Sequence, residues 1–289
     1  MGQKDSVEKL LVDYNDVFAD VINVLLFHGE RVLKPEELQE SKILSQYKAD
    51  DSKLHEQERD VAKYWRNENV TFALMGIENQ SNVEEEMPLR IISYDGAAYR
   101  SQLLNPETKE RYPVVSIVLY FGKSHWNKPK SLKEVIHIPP HLEEYVNDYR
   151  IHVFEISWLT EEQIELFQSD FKAVAEFFVQ IRTDNTYKPT EIELKHVDEV
   201  LKLLAVFGDA EDFRELVDSG KSKEVGTMCE AIEKMKRESR EQGIEQGILV
   251  SLKTLMETMN VSAEEACNIL KVPVEKYYAM SKRIRLEEL

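Results

Sequence analysis

The fold is decided by residues 70–81, which read VTFALMGIENQS. The first eight residues are apolar on both faces, which is typical of a strand buried between two layers. Residues 114–121, VVSIVLYF, repeat that character, and residues 151–158, IHVFEISW, suggest a weaker third strand. A helix is expected over Leu89–Leu103, between the first two strands. The sequence therefore predicts an α/β fold with a parallel strand pair, in which a mixed sheet core is flanked by helices.

Two polar residues end the first of these strands. Strand side chains alternate between faces, so Glu78 and Gln80 project from the same face. A carboxylate that ends a buried apolar strand is costly unless it meets a metal ion or a hydrogen-bond donor. Two interpretations stay open: Glu78 has such a partner, or it marks the exit of the strand into water.

A second carboxylate, Asp60, opens a segment that is expected to pair with residues 70–80 in a hairpin. A three-residue turn would place Asp60 opposite Gly76 and diagonal to Glu78 on the same face. A four-residue turn would place it on the other face. In the first register the two carboxylates could share one hard cation, Mg²⁺ or Mn²⁺, completed by waters and phosphate oxygens.

The remainder of the chain predicts helices. The first begins near Ser6 and ends before Gly29, and Pro35 opens a short helix in a polar surface excursion. After the strands, helices are expected over 161–182 with Thr160 as the cap, 191–207, 209–218, from about 228 into the 250s, 263–270 and 274–285. Pro189 favours a boundary near residue 188, which gives a domain over 1–188 and a helical region over 189–289.

Composition limits the classes of protein to which the chain could belong. The 289 residues carry a net charge of −17, which argues against a protein with a broad basic face for nucleic acid. Residues 1–130 hold 17 basic and 22 acidic residues, so most of the acidity lies in the second half. No apolar run is long enough to span a bilayer, the N-terminus lacks a signal peptide pattern, and only two cysteines occur. We expect a cytoplasmic protein.

Four segments, taken with Asp60, carry a family resemblance: FADVIN (18–23), IENQS (77–81), MPLRIISYDGAAY (87–99) and TMCEAIE (227–233). In this order they resemble the recombination-promoting nuclease/putative transposase family of the PD-(D/E)XK nuclease superfamily. The resemblance implies a sheet core flanked by helices, dependence on Mg²⁺ or Mn²⁺, and hydrolysis of phosphodiester bonds in DNA.

By position, the resemblance makes Asp60 and Glu78 the acidic metal ligands and the catalytic pair. Gln80 takes the place of the superfamily's lysine, and a glutamine cannot supply a positive charge. Lys63 and Arg90 are candidates to supply that charge and to contact nucleic acid. The alternative is that both are ordinary surface residues.

Asp20 lies in a polar stripe of the first helix, together with Asp13, Asp16 and Asn23. A solvated helix face explains this stripe without any chemistry. The family resemblance makes Asp20 a possible additional acidic site residue. Both interpretations stay open.

The last two predicted helices have helix-turn-helix proportions, with Ser262 as the cap of the first. Lys276, Lys282 and Arg283 give the second helix a basic surface that could contact DNA. The alternative is a small packing unit, through which the chain could form a homo-oligomer.

The first functional hypothesis is therefore a Mg²⁺-dependent DNA endonuclease of the recombination-promoting, transposase-like type. The second is a catalytically degenerate relative that acts as a DNA-binding or protein-interaction module, which Gln80 and the net charge favour. A third is a regulatory adaptor that binds a basic partner through its acidic helical half.

Overall fold

The computed structural model describes residues 11–41, 44–48, 54–58, 60–67, 70–106, 109–207 and 211–287. The strands are β1 Leu38–Glu40, β2 Leu44–Lys48, β3 Leu54–Glu58, β4 Val61–Asn67, β5 Val70–Gln80, β6 Val114–Tyr120 and β7 His152–Glu155. The helices are α1 Asn15–Leu25, α2 Met87–Leu104, α3 Leu132–Val135, α4 Glu161–Glu165, α5 Phe171–Asp184, α6 Val197–Phe207, α7 Glu211–Asp218, α8 Met228–Met259, α9 Ala263–Leu270 and α10 Val274–Glu287. Single 3₁₀ turns cover Pro35–Glu37, Pro140–Tyr145, Ile156–Trp158 and Lys221–Glu224.

Five strands form one mixed sheet in the order β1-β4-β5-β6-β7, and β2 pairs with β3 in a separate hairpin. The pairs β1–β4 and β4–β5 are antiparallel, whereas β5–β6 and β6–β7 are parallel. The predicted α/β class, the mixed sheet core flanked by helices and the parallel pair are confirmed. Strands β1, β2 and β3 were not expected, because they lie in the polar stretch that was predicted to be a surface excursion, and β1 is at the sheet edge.

The register of the β4–β5 hairpin differs from the predicted one. Asn67 pairs with Val70, so the turn is shorter than expected, and Ala62 takes the place opposite Gly76 that was predicted for Asp60. A bulge compensates, since Phe72 is an extra residue between the pairs formed by Thr71 and Ala73. The ladder beyond the bulge continues as Val61 with Ile77, so the next position places Asp60 directly opposite Glu78. Asp60 and Glu78 therefore lie on the same face, as predicted, but the cause is the bulge at Phe72 and not the predicted turn.

The two faces of the sheet carry different helices. On the face of Glu78, α2 packs Met87, Ile91 and Tyr94 against Val118 and Tyr120. On the other face lies α1, because Lys63 alternates with Ala62 along β4 and its ammonium contacts Asp13 and the Phe18 ring. The sheet core is therefore buried from both sides, as its apolar strands require.

The helix predicted over 161–182 is two helices, α4 and α5. Thr160 is the cap of α4, as predicted, and it forms a capping box with Gln163. The chain then leaves the helix over 166–170, because the buried Asp20 carboxylate accepts the amide protons of Gln168 and Ser169. A contact from 148 residues away thus overrides the local helical pattern.

The helix predicted over 191–207 begins only at Val197. The Asp170 carboxylate accepts hydrogen bonds from the backbone N–H groups of Lys195 and His196, at 2.9 and 2.6 Å, and keeps the preceding segment extended. The predicted starting residues Ser6 of the first helix and Asp209 of the 209–218 helix lie outside the described residues. α1 ends at Leu25, before Gly29, which has a φ of +92°.

The chain divides into two compact units, Met1–Cys229 and Glu230–Leu289. The predicted boundary at residue 188 lies inside the first unit and stays a prediction. In the second unit, Leu252 of α8 packs with Ala266 and Cys267 of α9 into a small core. Ser262 is the cap of α9, as predicted, and it forms a capping box with Glu265. Across the residues the structure describes, no helix has both the length and the apolar character needed to cross a membrane.

Candidate active site

The candidate site is a pair of buried carboxylates, Asp60 just before β4 and Glu78 on the adjacent strand β5. The backbone N–H of Asp60 donates to Glu78 Oε1 at 3.2 Å, and the backbone N–H of Asn79 donates to Asp60 Oδ2 at 2.9 Å. Asp60 is 8% exposed and Glu78 1%. The structure thus brings together Asp60 and Glu78, the two residues that were predicted to be acidic metal ligands.

Arg90 extends from α2 to the carboxylate pair. Its Nη2 lies 3.3 Å from Glu78 Oε2, its Nη1 lies 3.3 Å from Glu84 Oε2, and its Nε donates to the Tyr94 hydroxyl at 2.9 Å. Burial alone would lower the pKa of the guanidinium, but the charge of Glu78 and the bond to Tyr94 outweigh burial, and the pKa is raised. Arg90 is therefore a permanent cation beside Glu78.

Tyr94 completes the polar part of this face. Burial and then the charge of Glu78 raise the pKa of its hydroxyl, and the bond from Arg90 opposes that rise. The hydroxyl therefore stays protonated at neutral pH. Its position one helical turn after Arg90 fixes the guanidinium at the carboxylates.

Gln80 lies at the end of β5, half-buried, opposite Tyr120 of β6. Its backbone carbonyl accepts the Phe121 amide proton at 2.9 Å, whereas its side chain forms no hydrogen bond with the described residues. By strand alternation Gln80 shares the face of Glu78. The Gln80 side chain is available to bind a water or a phosphate at the carboxyl end of β5.

The donor set fits a hard divalent cation. Mg²⁺ is held by one or two carboxylates together with waters and phosphate oxygens, and Asp60 and Glu78 provide two adjacent carboxylates. Such carboxylates repel each other, and a cation between them relieves that repulsion. Within the described ranges no group of three or more His, Cys, Asp or Glu residues could hold a metal, so the waters and the substrate would have to supply further ligands.

Asp20 is held elsewhere, on α1. Its carboxylate pairs with Arg31 and accepts the amide protons of Gln168 and Ser169, at 2.8 and 2.7 Å. It lines a cavity of about 260 Å³ with residues of the 31–35 segment. Because α1 covers the sheet face opposite to Glu78, the geometry gives Asp20 the role of joining α1 to the loop before α5.

Lys63 also belongs to the opposite face. It is 2% exposed, and its ammonium donates to the Asp13 carbonyl at 2.7 Å and lies 5.8 Å from the centre of the Phe18 ring. Burial lowers the pKa of this lysine. The structure does not bring Lys63 to the carboxylate pair, whereas it does bring Arg90.

The basic residues predicted near the end of the chain lie on α10. Lys276 and Lys282 are exposed, and Arg283 lies in the same helix. DNA contact by these residues stays a prediction, as does a homo-oligomer through the C-terminal helices.

A polar cluster on the face of Glu78 was missed from the sequence. Asp95 of α2 is buried, accepts a hydrogen bond from Ser116 Oγ at 2.7 Å and bonds the Tyr149 hydroxyl. Ser116 pairs with Gly76, two residues before Glu78. A single serine inside the apolar run VVSIVLY was the signal that could have indicated a polar partner there.

The fold and the site together define a class: a mixed α/β sheet with a buried carboxylate pair and a guanidinium on one face. The sequence comparison gives the family. The chain belongs to the family described as "Putative transposase, YhgA-like", whose profile matches residues 38–204. This match confirms the family resemblance and covers α2, all seven strands and the carboxylate pair. Neither the search of curated proteins nor the search of solved structures found a match.

Proposed function

We propose that the protein is a Mg²⁺- or Mn²⁺-dependent deoxyribonuclease of the transposase-like type that hydrolyses phosphodiester bonds in DNA. One observation carries the proposal: Asp60 and Glu78 are buried side by side on one sheet face. The family description supports DNA as the substrate. A DNA substrate is consistent with the expected cytoplasmic location.

The chain's own residues divide the work as follows. Asp60 and Glu78 would hold the cation, and the backbone amide of Asn79 fixes the orientation of the Asp60 carboxylate. The bound cation would polarise the scissile phosphate and lower the pKa of a water. Gln80, at the open end of the strand, would position a water or a phosphate oxygen by hydrogen bonding.

Arg90 would act through Glu78. Its guanidinium lies 3.3 Å from the Glu78 carboxylate and is itself fixed by Tyr94. A guanidinium also presents donors that match phosphate oxygens. Arg90 is therefore a cation beside the carboxylate pair that could compensate for the neutral Gln80.

A plasmid cleavage assay tests the proposal. Supercoiled plasmid is incubated with wild-type protein, Asp60→Asn and Glu78→Gln in Mg²⁺, Mn²⁺ or EDTA, with Glu144→Gln, which removes an exposed carboxylate, as the matched control. We expect metal-dependent nicking by the wild type and Glu144→Gln. Both site variants should lose on the order of 100-fold or more in rate, since each replaces a charged metal ligand with a neutral amide. Equal cleavage by a folded site variant would reject the assigned pair.

The second candidate function is a catalytically degenerate relative that binds DNA or protein. The Arg90–Glu78 ion pair favours it, because the guanidinium already balances a carboxylate that a nuclease would give to a metal. This candidate predicts salt-dependent DNA binding by the wild type without cleavage in either metal. The cleavage assay therefore separates the two candidates.

A further inference from the structure

A basic loop follows β6. Residues 122–130, GKSHWNKPK, hold three lysines and one histidine and no acidic residue, in a chain whose net charge is −17. The loop begins where the backbone N–H of Phe121 donates to the carbonyl of Gln80 at 2.9 Å. The loop therefore starts at the end of the sheet where the carboxyl ends of β5 and β6 lie side by side.

The basic loop is anchored by a buried aromatic residue. Trp126 is 5% exposed, its ring meets that of Tyr120 edge to face at 5.3 Å, and its Nε1 donates to the Lys128 carbonyl at 2.9 Å. Gly122 is required at the start, because a Cβ there would lie 2.0 Å from the Tyr120 hydroxyl. The loop thus presents its charges from a fixed backbone.

The anchor places the loop beside the candidate active site. Trp126 packs in the same cluster as Met87, Ile91 and Tyr94 of α2. Tyr94 in turn accepts a hydrogen bond from Arg90, which pairs with Glu78. The basic loop and the carboxylate pair therefore border the same helix, on the same face of the sheet.

Two basic side chains at the start of the loop are exposed. Lys123 is exposed and forms no ion pair with any residue the structure describes. His125 is 64% exposed and stacks on Trp158 at 3.6 Å. Arg182 also packs on the Trp158 ring, with its guanidinium 3.8 Å from the ring centre.

Acidic residues balance part of this charge. Lys128 pairs with Glu85, while Lys130 lies 3.8 Å and His125 2.6 Å from the two carboxylate oxygens of Glu155. These contacts hold Lys128, Lys130 and His125 against acidic partners. Lys123 and Arg182 form no ion pair with the residues that the structure describes, although Arg182 is half-buried and its Nε donates to the Ser157 carbonyl at 2.6 Å.

We propose that the basic loop, with Arg182, binds the phosphate backbone of DNA and directs it past Asp60 and Glu78. The inference rests on the proposed nuclease function and adds the surface through which the substrate is held. Lysine and arginine side chains beyond the carboxyl ends of β6 and β7 carry the charge that a phosphate backbone attracts. In a strongly acidic protein, such contact has to be confined to a local basic surface.

The test is DNA binding measured by fluorescence anisotropy, with a labelled duplex in EDTA so that no cleavage occurs, over a series of salt concentrations. The variants are Lys123→Glu and Lys123→Ala. The matched control is Lys109→Glu. Lys109 is exposed and precedes the amino end of β6, whereas the basic loop follows its carboxyl end. Circular dichroism verifies that each variant is folded.

We expect Lys123→Glu to weaken binding about tenfold and to reduce the slope of log Kd against log salt by about one. Lys123→Ala should have the same direction of effect, and Lys109→Glu should bind as the wild type does. If the wild type binds the duplex and Lys123→Glu binds equally well, the basic loop is not the DNA surface, while the proposed nuclease function is untouched. Such a result would point instead to an acidic protein partner for the loop. If the wild type binds no DNA even at low salt, both proposals are overturned.

Discussion

The backbone amide of Asp60 donates to the carboxylate of Glu78 at 3.2 Å, although the two residues are 18 positions apart and separated by a hairpin turn. Their approach depends on Phe72, the extra residue of the β-bulge in β5. Without that residue the turn that the structure adopts would align Asp60 with Ile77, on the other face. The bulge therefore sets which side chains meet at the candidate site, a common role for bulges beside active sites.

Asp60→Asn should preserve or raise the stability of the metal-free protein, by on the order of 1 kcal/mol. The substitution removes one of two adjacent buried charges and keeps an oxygen that can accept the Asn79 amide proton. Thermal unfolding in EDTA measures the effect. A loss of more than about 2 kcal/mol would show that the Asp60 charge stabilises the fold instead.

Arg90→Met should destabilise the protein by about 2 kcal/mol, because it leaves the buried Glu78 carboxylate without its guanidinium. The matched control is Glu84→Gln, which removes the other carboxylate partner of Arg90. Since Glu84 is 38% exposed, this control should cost about 0.5 kcal/mol or less. Urea denaturation measures the free energy of unfolding of both variants. Equal losses of stability would contradict the assignment of Glu78 as the main partner of Arg90.

Asp20→Ala should cost about 3 kcal/mol, because Arg31 and two backbone amides lose a buried acceptor at once. The loop between α4 and α5 should also become more sensitive to limited proteolysis. Asp184→Ala, which removes an exposed carboxylate of α5, should change stability by about 0.5 kcal/mol at most. If Asp20→Ala were as stable as wild type while cleavage was lost, Asp20 would belong to the active site.

The stability contributed by Asp16 should depend on pH. Burial raises the pKa of this carboxyl, but the hydrogen bond and charge of His196 outweigh burial, and the pKa falls below its ordinary value of 3.8. Its stabilising effect is therefore complete above pH 3.8 and is lost as the pH falls through the lower folded-state value. Asp16→Asn should be less stable than wild type by about 1 kcal/mol at pH 7.

Urea unfolding of wild type and Asp16→Asn at pH 7, 5 and 3 measures this dependence. The difference between the two proteins should persist at pH 5 and begin to narrow at pH 3. A difference that is constant down to pH 3 would mean that the contacts of Asp16 with His196 and Val17 do not depend on its charge.

The sheet could be predicted because its strands are apolar on both faces, and that pattern distinguishes β5 and β6 from everything around them. Period-two alternation then placed Glu78 and Gln80 on one face without any structural information. The same pattern could not reveal the bulge, since Phe72 is one apolar residue among many in that run.

Other differences arose from contacts distant in sequence. The end of α4 is set by Asp20, and the late start of α6 by Asp170, so no local window contains the cause. Arg90 was one of two candidate cations, and only the packing of α2 on the sheet distinguishes it from Lys63.

Mn²⁺ binding tests the assignment of Asp60 and Glu78 as a metal site, and it is followed by electron paramagnetic resonance of the free ion in wild-type protein, Asp60→Asn and Glu78→Gln. We expect one Mn²⁺ site in the wild type, from which Mg²⁺ displaces the ion. Each substitution should weaken this site by about 10- to 100-fold or more, whereas Glu144→Gln should leave it unchanged. Wild-type protein that binds no Mn²⁺, or folded site variants that bind it as tightly as wild type, would contradict the claim that Asp60 and Glu78 form a metal site.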